Sequence, residues 1–150
     1  MRKYHFLWML LWIAGLLWPR IDLQGQGRED DPASFIGLTL TELMERAGIP
    51  QAVYPVRGRE EWQDDVVFVY SDGNFYIIKD RVWQLELKSV YRINVGDPRA
   101  AVLLALGEQA EDRGNCIIYP LPVQQWPLAL RCNLDAAGKV SALFIYRSDL

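Results

Sequence analysis

"IGLTLTELMERAGIP" (Ile36–Pro50) and "VGDPRAAVLLALGEQ" (Val95–Gln109) follow one pattern: a glycine, ten residues, a second glycine. The glycines are Gly37 and Gly48 in the first stretch and Gly96 and Gly107 in the second. In the first, Thr39 is placed to cap a helix, and Glu42 three residues on completes a capping box. Ile36, Leu40, Leu43, Met44 and Ala47 then fall on one helical face. Gly48 supplies the positive-φ stop and Pro50 blocks continuation. In the second, Asp97 is the expected cap and Pro98 the first helical residue, where its missing N–H costs nothing. Val102, Leu103 and Leu106 form the apolar stripe and Gly107 ends it.

After each stretch the patterning changes to period two. Strands are expected in "QAVYPV", "VVFVYS", "NFYIIK" and "RVWQLELK" of the first half. In the second half they are expected in "CIIYPL", "PLALRCNL" and "KVSALFIYR". Turns fall at Ser71–Gly73, Lys79–Arg81 and Asp135–Gly138, the last with glycine where φ must be positive. In "RVWQLELK", Trp83, Leu85 and Leu87 share one face and Gln84, Glu86 and Lys88 the other, which makes Trp83 a core residue. The preferred alignment of the halves sets Val82 against Val140, Leu85 against Leu143 and Leu87 against Ile145; a second register sets Tyr54–Pro55 against Tyr119–Pro120 and Trp62 against Trp126. The expected fold is α+β: two tandem repeats (36–89 and 95–147) of a short helical segment plus an antiparallel β-meander. Neither repeat buries its apolar face well alone.

The pattern "G-x-T-x-x-E-L-x-x-x-x-G-x-P", carried by Gly37, Thr39, Glu42, Leu43, Gly48 and Pro50, resembles the repeat of the β-lactamase-inhibitor-protein-like superfamily. Gly96, Val102, Leu103, Gly107 and the "D-x-x-G-K-V" of Asp135, Gly138, Lys139 and Val140 carry the second copy. The superfamily includes small outer-membrane assembly lipoproteins. The resemblance implies helices on one side of a curved antiparallel sheet, partner proteins bound on the other, and disulfides placed much like a Cys116–Cys132 pair. The lipobox cysteine of the lipoprotein branch is absent from this sequence.

At the N-terminus, Arg2 and Lys3 precede an apolar run, Phe6–Trp18, broken only by Gly15 and ended by Pro19. A membrane-spanning helix needs roughly 20 apolar residues, so residues 1–27 read as a secretory signal peptide rather than an anchor. Residues 28–35 read as a flexible acidic tail and 36–150 as a single domain. The chain's formal charge is −3 and no Lys/Arg cluster occurs. That argues against nucleic acid as a partner, which needs concentrated positive charge. No stable membrane span is expected after cleavage, and the location is periplasmic or secreted. An even cysteine count in an oxidising compartment favours a Cys116–Cys132 disulfide over two thiols.

The only histidine is His5, within the leader, so histidine-based nucleophile activation, acid–base chemistry and metal ligation are missing downstream. No motif calls for a cofactor or metal. Carboxylate chemistry is the remaining catalytic option, and its candidates are Glu60, Glu61, Asp64 and Asp65 around Trp62. The same stretch would suit a carbohydrate or small-ligand binder. The favoured reading is a non-catalytic module that binds another protein through the open sheet face, as an inhibitor of a secreted or envelope enzyme or as an envelope assembly factor. Trp62, Asp64, Asp65, Tyr70, Tyr76, Tyr119 and Trp126 are the expected contact residues, since Trp and Tyr beside acids are what binding hot spots use.

Overall fold

The computed structural model of the chain describes residues 31–57, 65–122 and 125–150. The expected leader therefore lies outside the described residues, as do Trp62, Asp64, Glu60 and Glu61. The helices are α1 (Leu40–Ala47) and α2 (Arg99–Leu106). The strands are β1 (Ala52–Val56), β2 (Asp65–Val69), β3 (Gly73–Ile78), β4 (Arg81–Leu87), β5 (Ser89–Val90), β6 (Ile93–Asn94), β7 (Glu111–Asp112), β8 (Cys116–Pro120), β9 (Leu128–Leu134) and β10 (Val140–Arg147). Eight of them form one antiparallel sheet in the order β1-β2-β3-β4-β10-β9-β8-β7, and β5 and β6 form a separate hairpin. The fold is α+β, with two four-strand meanders joined edge to edge by β4 and β10.

Helix α1 starts as its sequence dictates. The Thr39 hydroxyl accepts from the Glu42 N–H, and the Glu42 carboxylate accepts from the Thr39 N–H at 2.8 Å. Helix α2 differs from its expected start by one residue. Pro98 is the cap residue and no side chain caps the helix. The Asp97 carboxylate turns back to the β5–β6 hairpin, accepting from the Asn94 N–H at 2.8 Å. A short polar side chain has several local donors to choose from, and here the preceding turn wins.

Both helices are tied to the sheet in the same way. The Gly37 N–H donates to the Val82 carbonyl and the Val82 N–H to the Leu38 carbonyl, at 2.8 and 2.9 Å. Gly96 and Asp97 make the same exchange with Val140, at 2.7 and 2.9 Å. Gly37 and Gly96 sit at φ 90° and 97°, a region closed to most side chains, which lets the chain turn from this ladder into the helix. Leu43 on α1 and Val102 on α2 are fully buried in one cluster with Phe75, Leu85, Leu87, Leu130, Cys132, Leu143 and Ile145. Both helices therefore cover the same face of the sheet.

The expected tail does not extend to its last residues. Pro32–Phe35 form a 3₁₀ turn capped by the Asp31 carboxylate, and Ala33 is buried in the core. The Tyr91 hydroxyl donates to Asp31 at 2.8 Å. Burial, and then that carboxylate, push the Tyr91 phenol well above the usual tyrosine range. Apolar Ala33 and Phe35 repay the ordering of this segment against the sheet.

The expected disulfide is absent: Cys116 and Cys132 are both free thiols. Cys132 lies opposite Ile117 and Cys116 opposite Asn133, so the two are one residue out of register. Side chains alternate between faces along a strand, so Cys132 enters the core and Cys116 emerges on the other face. Two β-carbons on opposite faces cannot be bridged without moving the backbone. Burial, with a smaller contribution from Cys116, pushes the Cys132 thiol up to about 12.

Candidate functional site

The face opposite the helices is built by register. Across the sheet, Tyr54, Val67, Tyr76, Gln84, Tyr146, Ala129 and Pro120 stand side by side, one per strand from β1 to β8. One step along runs a second row: Val69, Asn74, Glu86, Phe144, Arg131, Ile118 and Glu111. Val67 and Ala129 are buried, yet neither belongs to the helix-side core. Val67, between Tyr54 and Tyr76, is fully shielded by this second apolar layer. No described helix covers this face.

The β2–β4 half of the face is a bonded network. A bulge sets Tyr76 opposite Gln84 and Ile77 opposite Val82, leaving Trp83 as the extra residue. Trp83 therefore leaves the core, contrary to the alternation of its strand. Its indole N–H donates to Asp65 at 3.1 Å, and its ring meets Tyr76 edge-on at 6.5 Å. One inserted residue suffices to change a side chain's face. Tyr76 and Asn74 both donate to the Glu86 carboxylate, at 2.9 and 3.1 Å. Burial and then Glu86 raise the Tyr76 phenol above the usual tyrosine range. Tyr76 thus stays a neutral donor.

The β9–β10 half is held by stacking instead. The Arg131 guanidinium lies over the Phe144 ring at 4.8 Å and over Tyr146 at 5.4 Å.

The expected contact residues divide between the two faces. Asp65 and Tyr76 stand together on the open face. Tyr70 is on the helix side, edge-on to Phe75 at 5.0 Å, with its hydroxyl bonded to the Gly48 carbonyl. Tyr119 shares the row of Leu130 and packs on the core. Trp126 also packs on the core, under the Arg147 guanidinium at 3.9 Å and hard against Gly37. Trp62 and Asp64 lie outside the described residues. Tyr54, Gln84, Glu86, Arg131 and Phe144 complete the face; the inward–outward alternation of "KVSALFIYR" and "PLALRCNL" was the signal that could have found the last two.

Of two clefts, the first borders the open face at Asn74 and Glu86. It has a volume of about 550 Å³ and is lined by Tyr70, Asn74, Glu86, Lys88 and Ser141. Another of about 360 Å³ is lined by Glu42, Arg81, Gln125 and Trp126. Among the described residues, no group of His, Cys, Asp or Glu is arranged to hold a metal ion. No described helix is long and apolar enough to cross a membrane.

No family model matches the chain, and no curated protein matches it. A solved structure does match: the 1.5 Å crystal structure of an extracellular protein containing an SCP domain, from Bacillus anthracis str. Ames. The likeness has a TM-score of 0.52 at 14% identity, over 83% of this chain and 48% of that one. The chain thus spans about half the length of that protein. At this identity the likeness is one of fold alone.

Proposed function

We propose that the chain is an exported, non-catalytic module that binds another protein through its open sheet face. The observation that carries this reading is the row Tyr54–Val67–Tyr76–Gln84–Tyr146. It forms a second apolar layer rich in tyrosine on a face that no described helix covers. Tyrosine, tryptophan and arginine at the centre of such a patch are the residues that anchor protein partners. The absence of histidine beyond His5 supports a non-catalytic role. Export is supported by the leader-like N-terminus, and the matched Bacillus anthracis protein is extracellular.

The chain is, in this reading, two copies of one unit, 36–89 and 95–147, as in the β-lactamase-inhibitor-protein-like superfamily. Supporting this, Val82 and Val140 make equivalent ladders with Gly37 and Gly96. The pairs Leu85↔Ile145 and Leu87↔Leu143 also exchange into one another when the copies are swapped. The role that follows is an enzyme inhibitor or an envelope assembly factor.

The test is affinity capture from envelope extract with the wild-type protein, Phe144→Ala on the open face, and Leu104→Ala on exposed helix α2. A partner kept by Leu104→Ala and lost by Phe144→Ala is the expected result. A partner lost only with the helix variant, or no partner at all, overturns the reading.

A further inference from the structure

We propose that Arg131 is the receptor for an aspartate or glutamate side chain of the partner protein. The inference rests on the open-face reading above and concerns what that face recognises.

Among the described residues, no carboxylate forms an ion pair with this guanidinium. Along its row the neighbours are Phe144 and Ile118, and beyond them Glu86 and Glu111. Both acids are already engaged. Glu86 accepts from Tyr76 and Asn74, and Glu111 accepts two bonds from Arg113 at 3.0 Å each. Other arginines find oxygen: Arg46 bonds Ser34, Arg81 the Gly37 carbonyl, Arg99 Asp112, and Arg147 Asp149. Among the described residues, Arg131 has only its two aromatic rings, and its Nε is buried with no acceptor.

The geometry selects the ligand. Contact with the Phe144 and Tyr146 rings restrains the guanidinium before anything binds. With Nε shut away, the donors left for a ligand are those of the two terminal nitrogens. Two parallel N–H donors match the two oxygens of one carboxylate. The two rows hold no second cation, whereas polyphosphate or nucleic-acid recognition gathers several. The rings, Ile118 and Ala129 around Arg131 offer apolar contact to whatever flanks the acid, as at the core of a protein interface.

The experiment is a titration of the full chain followed by NMR of the arginine side-chain and open-face resonances. The probes are acetyl-Val-Glu-Val-amide, acetyl-Val-Gln-Val-amide and acetate. The glutamate peptide should shift the Arg131 guanidinium signals and bind about tenfold or more tighter than the glutamine peptide, as a charge-assisted pair requires. Acetate should bind the same nitrogens more weakly. Arg131→Lys, which keeps the charge and loses the planar fork, should remove the preference while leaving the backbone spectrum folded. Equal shifts with both peptides at Tyr76 and Phe144 would overturn the role of Arg131 and leave the open-face reading standing. Acetate binding as tightly as the glutamate peptide would mark a small-acid site and overturn the assignment to a protein partner. No shift at Arg131 with any probe would overturn the proposal outright.

Discussion

Thr39 starts helix α1 with a reciprocal pair of side-chain bonds, whereas Pro98 starts α2 with none. Yet the helices are the same length, end alike on glycines at φ 78° and 74°, and meet the sheet through the same ladder. The cap is therefore not what defines the segment. What the two share is one fully buried side chain per helix and one positive-φ glycine before it. Tertiary contacts of this kind, rather than local propensity, hold short helices in proteins.

The buried side chains should carry the largest effect. Leu43→Ala removes the anchor of α1 and is expected to cost about 2–5 kcal/mol in urea unfolding. Val102→Ala removes a smaller anchor at the matching place on α2 and should cost about 1.5–3 kcal/mol. Were Val102→Ala neutral, α2 would rest on something other than this contact, and the parallel between the helices would fail.

The entry glycines sharpen the comparison. Gly37 and Gly96 share a backbone conformation that disfavours any side chain, so alanine at either should cost about 1–3 kcal/mol. Their surroundings differ. A Cβ on Gly96 meets open space, but on Gly37 it would come within 2.3 Å of the Trp126 indole nitrogen. Gly37→Ala should therefore be the more damaging of the two and alter Trp126 fluorescence, while Gly96→Ala leaves the tryptophan signal unchanged. Equal losses with an unchanged spectrum would remove Trp126 as the difference between the halves.

A further contrast lies in the sheet. Phe75 pairs with Leu85 in the first meander, and Cys132 with Leu143 in the second. Cys132→Ser places a hydroxyl in that core and should cost about 1–3 kcal/mol. Cys116→Ser, on the other face, should stay within about 0.5 kcal/mol. A disulfide would make the two losses equal, which calorimetry of both variants decides.

What could be read from sequence was what is local. The Thr39–Glu42 box, the stop glycines, the turn at Asp135–Gly138 and the seven main strands each depend on residues a few positions apart. The misreadings within the sheet turn on parity. Whether Trp83 faces in or out depends on a one-residue bulge opposite Tyr76 and Ile77, which no alternation in its own strand reveals. Whether Cys116 can reach Cys132 depends on a cross-strand register that places Ile117, not Cys116, opposite Cys132. The contact residues followed the same logic. Tyrosines were legible as a class, but assigning Tyr76 to one face and Tyr119 to the other required the pairing of every strand between them. The surroundings of Arg131 were not legible in its own strand, because they are set by neighbours on β4, β7, β8 and β10.

The smallest effect returns to the caps. Thr39→Ala should cost about 1 kcal/mol. Pro98→Ala removes no cap and should cost about 0.4–1 kcal/mol, through the greater freedom of the unfolded chain. The two are close in size at neutral pH and are separated by acid. The Thr39 N–H and hydroxyl hold the Glu42 carboxyl below its ordinary value of 4.5 in the folded state. A depressed carboxylate contributes stability above its unfolded pKa and loses it as pH falls through the folded one. The wild type and Pro98→Ala should therefore both lose the Glu42 contribution on acidification from pH 5 downward, keeping a constant gap between them. Thr39→Ala loses the hydroxyl's share of it and keeps the share of the backbone N–H, so its gap to the wild type should narrow, without closing, over the same range. Urea midpoints measured across that range distinguish the cases. A gap for Thr39→Ala that does not change with pH would mean that the backbone N–H at position 39 alone holds the Glu42 carboxylate.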